Sequence, residues 1–385
     1  MMLSLAHAVQ LIKSTLENPI ANLWHDYDPR KIPFAIYDDQ EAVYLNHPNP
    51  PQERPQHMVA ATSLEINGVY TATLPMKIIG VDEQTFVPIA YHEGFHVYQQ
   101  HRFSPIKFDF FAAMSHYPEL DPEYRALCHL EADVLRSDWA TDKKIKFMSH
   151  LGRLRRERLI HHESLLAYER FLERSEGTAH YIEQKARQAL YDIPPQLTDI
   201  GFGLTRFYQV GAGLCWLMSQ TIPDWMIRIE AGESLSDILQ TMSETPADLS
   251  ELGYESVRAN NIKMCAIIQD GIEAQMHQLY AKGTLVIRYE GIQKVFRAFT
   301  PSTLNSLGDG RVVHRSMYQL ILPQYGKVAC DDVLLVDNMD MCELVLENVP
   351  YTYADGVLQI DTPQIQANLS SVLQVDKGLF KIIGE

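Results

Sequence analysis

His92 and His96 stand four residues apart in the stretch Ala90-Tyr-His-Glu-Gly-Phe-His-Val-Tyr-Gln-Gln100, with Glu93 directly after the first. On a helix, residues i and i+4 share one face about 5–6 Å apart, close enough for two imidazoles to hold one metal ion. The chemistry would be that of zinc, which acidifies a bound water so that a neighbouring carboxylate can take its proton at ordinary pH. Glu93 suits that base, because a residue next to a ligand lies about 100° around the helix axis, beside the ion rather than on it. A catalytic zinc takes three side-chain ligands and leaves a fourth position for water, so two histidines are insufficient. The stretch Ser175-Glu-Gly-Thr-Ala-His-Tyr-Ile-Glu183 offers Glu176, His180 and Glu183 at i, i+4 and i+7, one stripe of a second helix. Its small residues Gly177 and Ala179 would let that helix approach the first closely. Glu131, Glu163 and Glu173 are rival carboxylates.

The combination resembles the gluzincin metallopeptidases, whose zinc is held by His-Glu-x-x-His on one helix and a Glu on a later one. Glu176-Gly-Thr-Ala-His-Tyr-Ile-Glu183 is similar to the Glu-Gly-x-Ala-x-Tyr-x-Glu of the zinc aminopeptidases. Carried over by residue, the resemblance implies His92, His96 and Glu176 as ligands of one zinc per chain, Glu93 as general base and a peptide or protein as substrate. It covers residues 60–215. His96 and Glu176 are 80 positions apart, so a helical insertion must fold between them. The aminopeptidases' Gly-x-Met-Glu-Asn segment, whose Glu recognises a free amino terminus, has no counterpart: Asn67-Gly-Val-Tyr-Thr-Ala-Thr-Leu-Pro75 contains no acid.

A tetrahedral intermediate would also need a hydrogen-bond donor for its oxyanion. Tyr208 is the candidate, in a segment where Gly211, Ala212 and Gly213 permit close helix packing. His129, His161, His162 and His180 read as polar helix residues, with His180 also placed to support a ligand from behind.

The elements that must position these groups can be read from pattern. Pro88 suits a first helical turn and the next proline is Pro105, so one helix is expected from about Pro88 to Arg102. Gly94 costs that helix about 1 kcal/mol and is expected where another backbone or a substrate passes close. Residues 1–20 predict a short amphipathic helix stopped by Pro19. Residues 30–88 carry short β-like runs (IPFAIY, AVYLN, NGVYTATLP), and Val69–Leu74 could pair with an extended substrate by strand addition. Residues 88–281 are mostly helical, with one long helix from Gly152 to Leu190 interrupted at Gly177. After Gly283 alternating runs such as TLVIRY, MYQLILPQ, DVLLVD and ELVLEN predict an all-β domain over 283–385, whose His314 falls in a Gly-rich loop-like segment. The expected fold is α+β: a zincin-like, mostly helical core over 1–281 with an N-terminal α/β portion, followed by the C-terminal β domain.

The 385 residues are 46% hydrophobic and carry a formal charge of −16, which fits a globular chain whose field repels nucleic acid. The basic run between Lys143 and Arg158 reads as a solvated helix face. Five scattered cysteines without a Cys-x-x-Cys pair, no signal-like amino terminus and no 18-residue apolar stretch predict a cytoplasmic protein with no membrane partner. The oligomeric state is not legible. Two other readings stay open: a di-iron carboxylate bundle, for which Glu93-Gly-Phe-His96 is the sole Glu-x-x-His, and a non-catalytic zinc protein whose β domain binds a partner.

Overall fold

A computed structural model describes residues 3–55, 58–197, 204–281, 285–290, 296–299, 304–306, 312–322, 324–337, 341–346, 349–363 and 365–383. The expected boundary at Gly283 and the run Gly308–Arg311 lie outside these. The chain is α+β, with an α/β region at the N-terminus, a helical middle and a C-terminal sheet. No helix among the described residues is long and apolar enough to cross a membrane.

Helix α1 (Leu5–Glu17) is capped by Ser4, which accepts from His7 N at 3.3 Å, and buries Leu5, Ala8, Val9 and Ile12 at helical spacing. Strands β1 (Phe34–Tyr37), β2 (Ala42–Leu45), β3 (Thr62–Ile66) and β4 (Val69–Pro75) form a sheet in the order β2-β1-β4-β3, with β1 and β4 parallel. Asn67 and Gly68, both at positive φ, make the two-residue hairpin between β3 and β4, whose ladder ends at Ile66 opposite Val69. The expected run NGVYTATLP is therefore a turn followed by a strand. β3 pairs one edge of β4 from Val69 to Thr73 and β1 the other from Ala72 to Pro75, so an extended substrate could not add along the whole of Val69–Leu74.

After α2 (Met76–Ile79), helix α3 (Glu83–Arg102) starts earlier than expected, because Asp82 caps it by accepting from Thr85 N at 2.8 Å. Pro88 thus lies inside the helix, where it removes one i→i−4 bond. Gly94 makes room for side chains, not for a backbone or substrate: a Cβ there would stand 3.0 Å from Tyr27 Oη and 3.1 Å from Phe34 Cζ.

Helices α4 (Phe110–Ser115), α5 (Pro122–Arg136), α6 (Thr141–Leu159), α7 (Glu163–Leu172), α8 (Thr178–Tyr191), α9 (Leu204–Ser219), α10 (Trp225–Ala231), α11 (Leu235–Gln240) and α12 (Tyr254–Ala281) build the rest of the helical region. The long helix expected from Gly152 breaks instead at Ile160–His162, and Glu173–Gly177 winds as a π-helical turn leading into α8. The basic run is not simply a solvated face. Arg155 is buried and binds Glu131 (Nε to Oε1, 3.1 Å), Glu173 (Nη2 to Oε1, 3.2 Å) and Glu169. Glu131 also binds buried Arg206, and Glu169 accepts from Tyr117 and Tyr124.

Among the described residues the C-terminal sheet has eleven strands: β5 (Leu285–Glu290), β6 (Phe296–Phe299), β7 (Leu304–Ser306), β8 (Val312–Leu322), β9 (Gly326–Asp337), β10 (Met341–Leu346), β11 (Thr352–Ala354), β12 (Val357–Asp361), β13 (Ile365–Leu369), β14 (Leu373–Asp376) and β15 (Leu379–Ile383). It buries its own apolar cluster, including Ile287, Leu344, Leu358 and Phe380. Links to the helices include Ile272 and Met276 of α12 packed on Val286 and Val345, Tyr280 of α12 donating to Glu343 of β10, and Ser306 N donating to Glu119 Oε2 at 3.1 Å. His314 lies on β8, paired in register with Leu304 and Leu335, rather than in a loop.

Candidate metal centre

The helical spacing of α3 turns His92 and His96 to one side, with their Nε2 atoms 3.1 Å apart. Glu176 reaches them from the π turn, its Oε2 lying 3.5 Å from His92 Nε2 and 3.4 Å from His96 Nε2. A tetrahedral zinc about 2.0–2.2 Å from each donor sets those donors roughly 3.3–3.6 Å apart, so the three atoms have the size of one face of its coordination shell. Glu176 Oε2 is buried and has no hydrogen-bond partner. The residues thus fit the metal in type, number and spacing.

The Nδ1 of His96 is hydrogen-bonded away from that centre, whereas the Nδ1 of His92 has no hydrogen-bond partner. Gln99 Nε2 donates to Arg174 O (3.2 Å), Ser175 O (2.9 Å) and Thr178 Oγ1 (2.8 Å), which leaves its Oε1 to accept from His96 Nδ1 at 2.7 Å. His92 Nδ1 faces Glu183 Oε2 at 3.3 Å, and that carboxylate also accepts from His180 Nδ1 at 2.9 Å and from Arg187 at 3.0 Å. A ring whose Nδ1 carries the proton presents Nε2 as a ligand. Two imidazole nitrogens and a carboxylate oxygen this close repel one another unless a cation, proton or metal, lies among them.

The electrostatics express the same need. Burial pulls the His92 imidazole down, but the adjacent carboxylates of Glu176 and Glu183 outweigh it and raise its pKa to about 10. His96 is raised against its burial by Glu176. Burial pushes the Glu176 carboxyl up, yet His96 and His92 hold it well below the usual carboxylate range. Glu93 moves the other way: burial raises it, with His92 and His96 only partly opposing, and its Oε2 is buried without a hydrogen-bond partner.

The π turn decides which acid reaches the centre. In an α-helix Glu173 and Glu176, three apart, would share a face; the wider π turn separates them, so Glu173 meets Arg155 while Glu176 meets the histidines. Glu131 is likewise spent on Arg155 and Arg206, and Glu163 is exposed at the start of α7. Gly177 closes the turn against α9 through Gly211, not against α3 as its small size suggested. A Cβ on Gly177 would lie 2.8 Å from Gly211 Cα and 3.2 Å from Phe207 O, and one on Gly211 would collide with Gly177 Cα. Gly177→Ala is therefore expected to cost about 1–3 kcal/mol in chemical denaturation, the usual cost of overpacking, because a backbone and not a flexible side chain must yield.

Tyr208, on α9, stacks its ring on His92 (centroids 5.7 Å apart, 7° between planes). Burial and the Glu176 carboxylate beside it push its phenol far above the ordinary range, so it remains a proton donor. His180 belongs to a second possible metal group with His92 and Glu183, although its hydrogen bond to Glu183 already accounts for its place. His129, His161 and His162 are exposed. The sequence reading missed Gln99 and the Arg155 cluster. Gln99 follows His96 by one helical turn, a spacing that could have flagged it; Arg155 carried no local sign of burial. No family model matches the chain, no curated protein is similar to it, and no solved structure matches it.

Proposed function

We infer that this chain is a zinc-dependent hydrolase with a zincin-like core, acting on a peptide or protein in the manner of the gluzincins. The observation that carries this reading is the convergence of His92 Nε2, His96 Nε2 and Glu176 Oε2 to 3.1–3.5 Å, with His96 Nδ1 hydrogen-bonded to Gln99 and His92 Nδ1 facing Glu183. These three side chains would hold the metal, one per chain. When bound, zinc lowers the pKa of a coordinated water from about 15.7 toward about 7. Glu93, buried beside His92 with an unpartnered carboxylate oxygen and a raised pKa, is the proton acceptor and later the donor to the leaving group. Tyr208 supplies an O–H for the developing oxyanion. The choice of a peptide bond rests on the resemblance of Glu176–Glu183 to the aminopeptidase stretch; the scattered cysteines favour a cytoplasmic setting.

Metal analysis of the purified full chain, followed by incubation with a mixed-sequence peptide library read by mass, tests this. About one zinc per chain and cleavage are expected. Two irons per chain, or no metal at all, would overturn the zinc assignment. A zinc-loaded chain that cleaves nothing would leave a non-catalytic zinc protein.

A further inference from the structure

Gln99, which binds His96, also lines a cavity of about 320 Å³ walled in part by Phe103, Ile106, Phe171, Arg174 and Ser175. That is the small end of the range for ligand pockets. Arg174 is only 3% exposed, yet among the described residues no carboxylate pairs with it. Its Nε donates to Ile229 O at 3.1 Å, its guanidinium carbon stands 5.5 Å from the Phe103 ring centre, and its Nη2 is buried without a partner. A buried guanidinium is normally paired, since an uncompensated interior charge costs several kcal/mol. The buried Arg155 and Arg206, by contrast, both meet carboxylates. Arg174 meets a cavity.

We propose that this cavity is a binding site for a small organic carboxylate with an apolar, aromatic-sized body, whose anionic group pairs with Arg174. The walls supply both halves of that recognition. Phe103, Ile106 and Phe171 would cover the apolar body, while Arg174, a lining residue, supplies the cation for the carboxylate. A single cation balances one negative charge, so a carboxylate matches Arg174 in charge better than a phosphate dianion does. The site does not depend on zinc, although Gln99 touches both it and His96.

Calorimetric titration of the full chain, with and without a chelator, using N-acetyl-phenylalanine, its carboxamide and phenyl phosphate, tests the assignment. The acid should bind about tenfold or more tightly than the amide, because only the acid makes a charge-assisted pair. The preference should vanish in Arg174→Met, persist in part in Arg174→Lys, and survive the chelator. Equal binding of acid and amide, no binding of the acid, acid binding retained by a folded Arg174→Met, or tighter binding of phenyl phosphate would each overturn it. Acid binding lost with the chelator would place the ligand on the metal instead, and also overturns it. Because the chelated protein is titrated too, a failure of the zinc reading leaves this result interpretable.

Discussion

Glu93→Gln should leave zinc in place and lower peptide hydrolysis by roughly 10²–10⁴, the usual worth of a positioned general base. The substitution keeps the side chain's size and one oxygen while removing the site that takes a proton. Glu93 contributes no atom to the triangle of His92, His96 and Glu176, so the donors are untouched. Its burial and the missing partner of Oε2 show a carboxylate whose place in the fold is not explained by a structural hydrogen bond. Burial without pairing ordinarily favours an uncharged group, so Gln should be tolerated and the melting temperature should hold or rise. Metal content, melting temperature and cleavage rate are measured on both proteins. Equal rates with equal zinc remove Glu93 as the base.

Glu176→Ala and Glu131→Ala should fail in different ways. Glu176 supplies the only carboxylate oxygen of the triangle, so its loss should weaken zinc by more than the roughly 10–100-fold that a supporting residue is worth. Without metal, stability near neutral pH should also fall, because the substitution removes the carboxylate that holds His92 and His96 protonated. Glu131→Ala removes the carboxylate shared by Arg155 and Arg206 in a fully buried cluster, and should cost about 3–5 kcal/mol of folding free energy. The chains that remain folded should still take one zinc. Equilibrium denaturation and competition against a chromogenic chelator separate the two effects. If Glu176→Ala binds zinc like the wild type while Glu131→Ala does not, the ligand has been misassigned.

Local signals in the sequence determined a good part of this protein. The i, i+4 spacing of His92 and His96 needs only a helix to become a donor pair, and Asp82 and the apolar residues around the motif supply one. Alternating runs near the C-terminus were enough to anticipate a sheet, since period-two patterning is a property of each strand alone. Asn67-Gly68 marked a hairpin that could have been read the same way, because both residues tolerate positive φ. What only the tertiary structure decided is the use of each charge. Glu131, Glu173 and Glu176 are chemically alike and all lie on helical segments; two are consumed by Arg155 and one is not, through partners at sequence separations of 18 to 84 residues. The π turn that turns Glu176 away from Glu173, the Gly177–Gly211 contact that seats that turn, and the unpaired Arg174 at its edge have no periodic signature either. Spacing along the chain encodes which side chains can share a helix face, whereas which acid meets which base is settled by how the helices pack, and that appears only when the chain is folded.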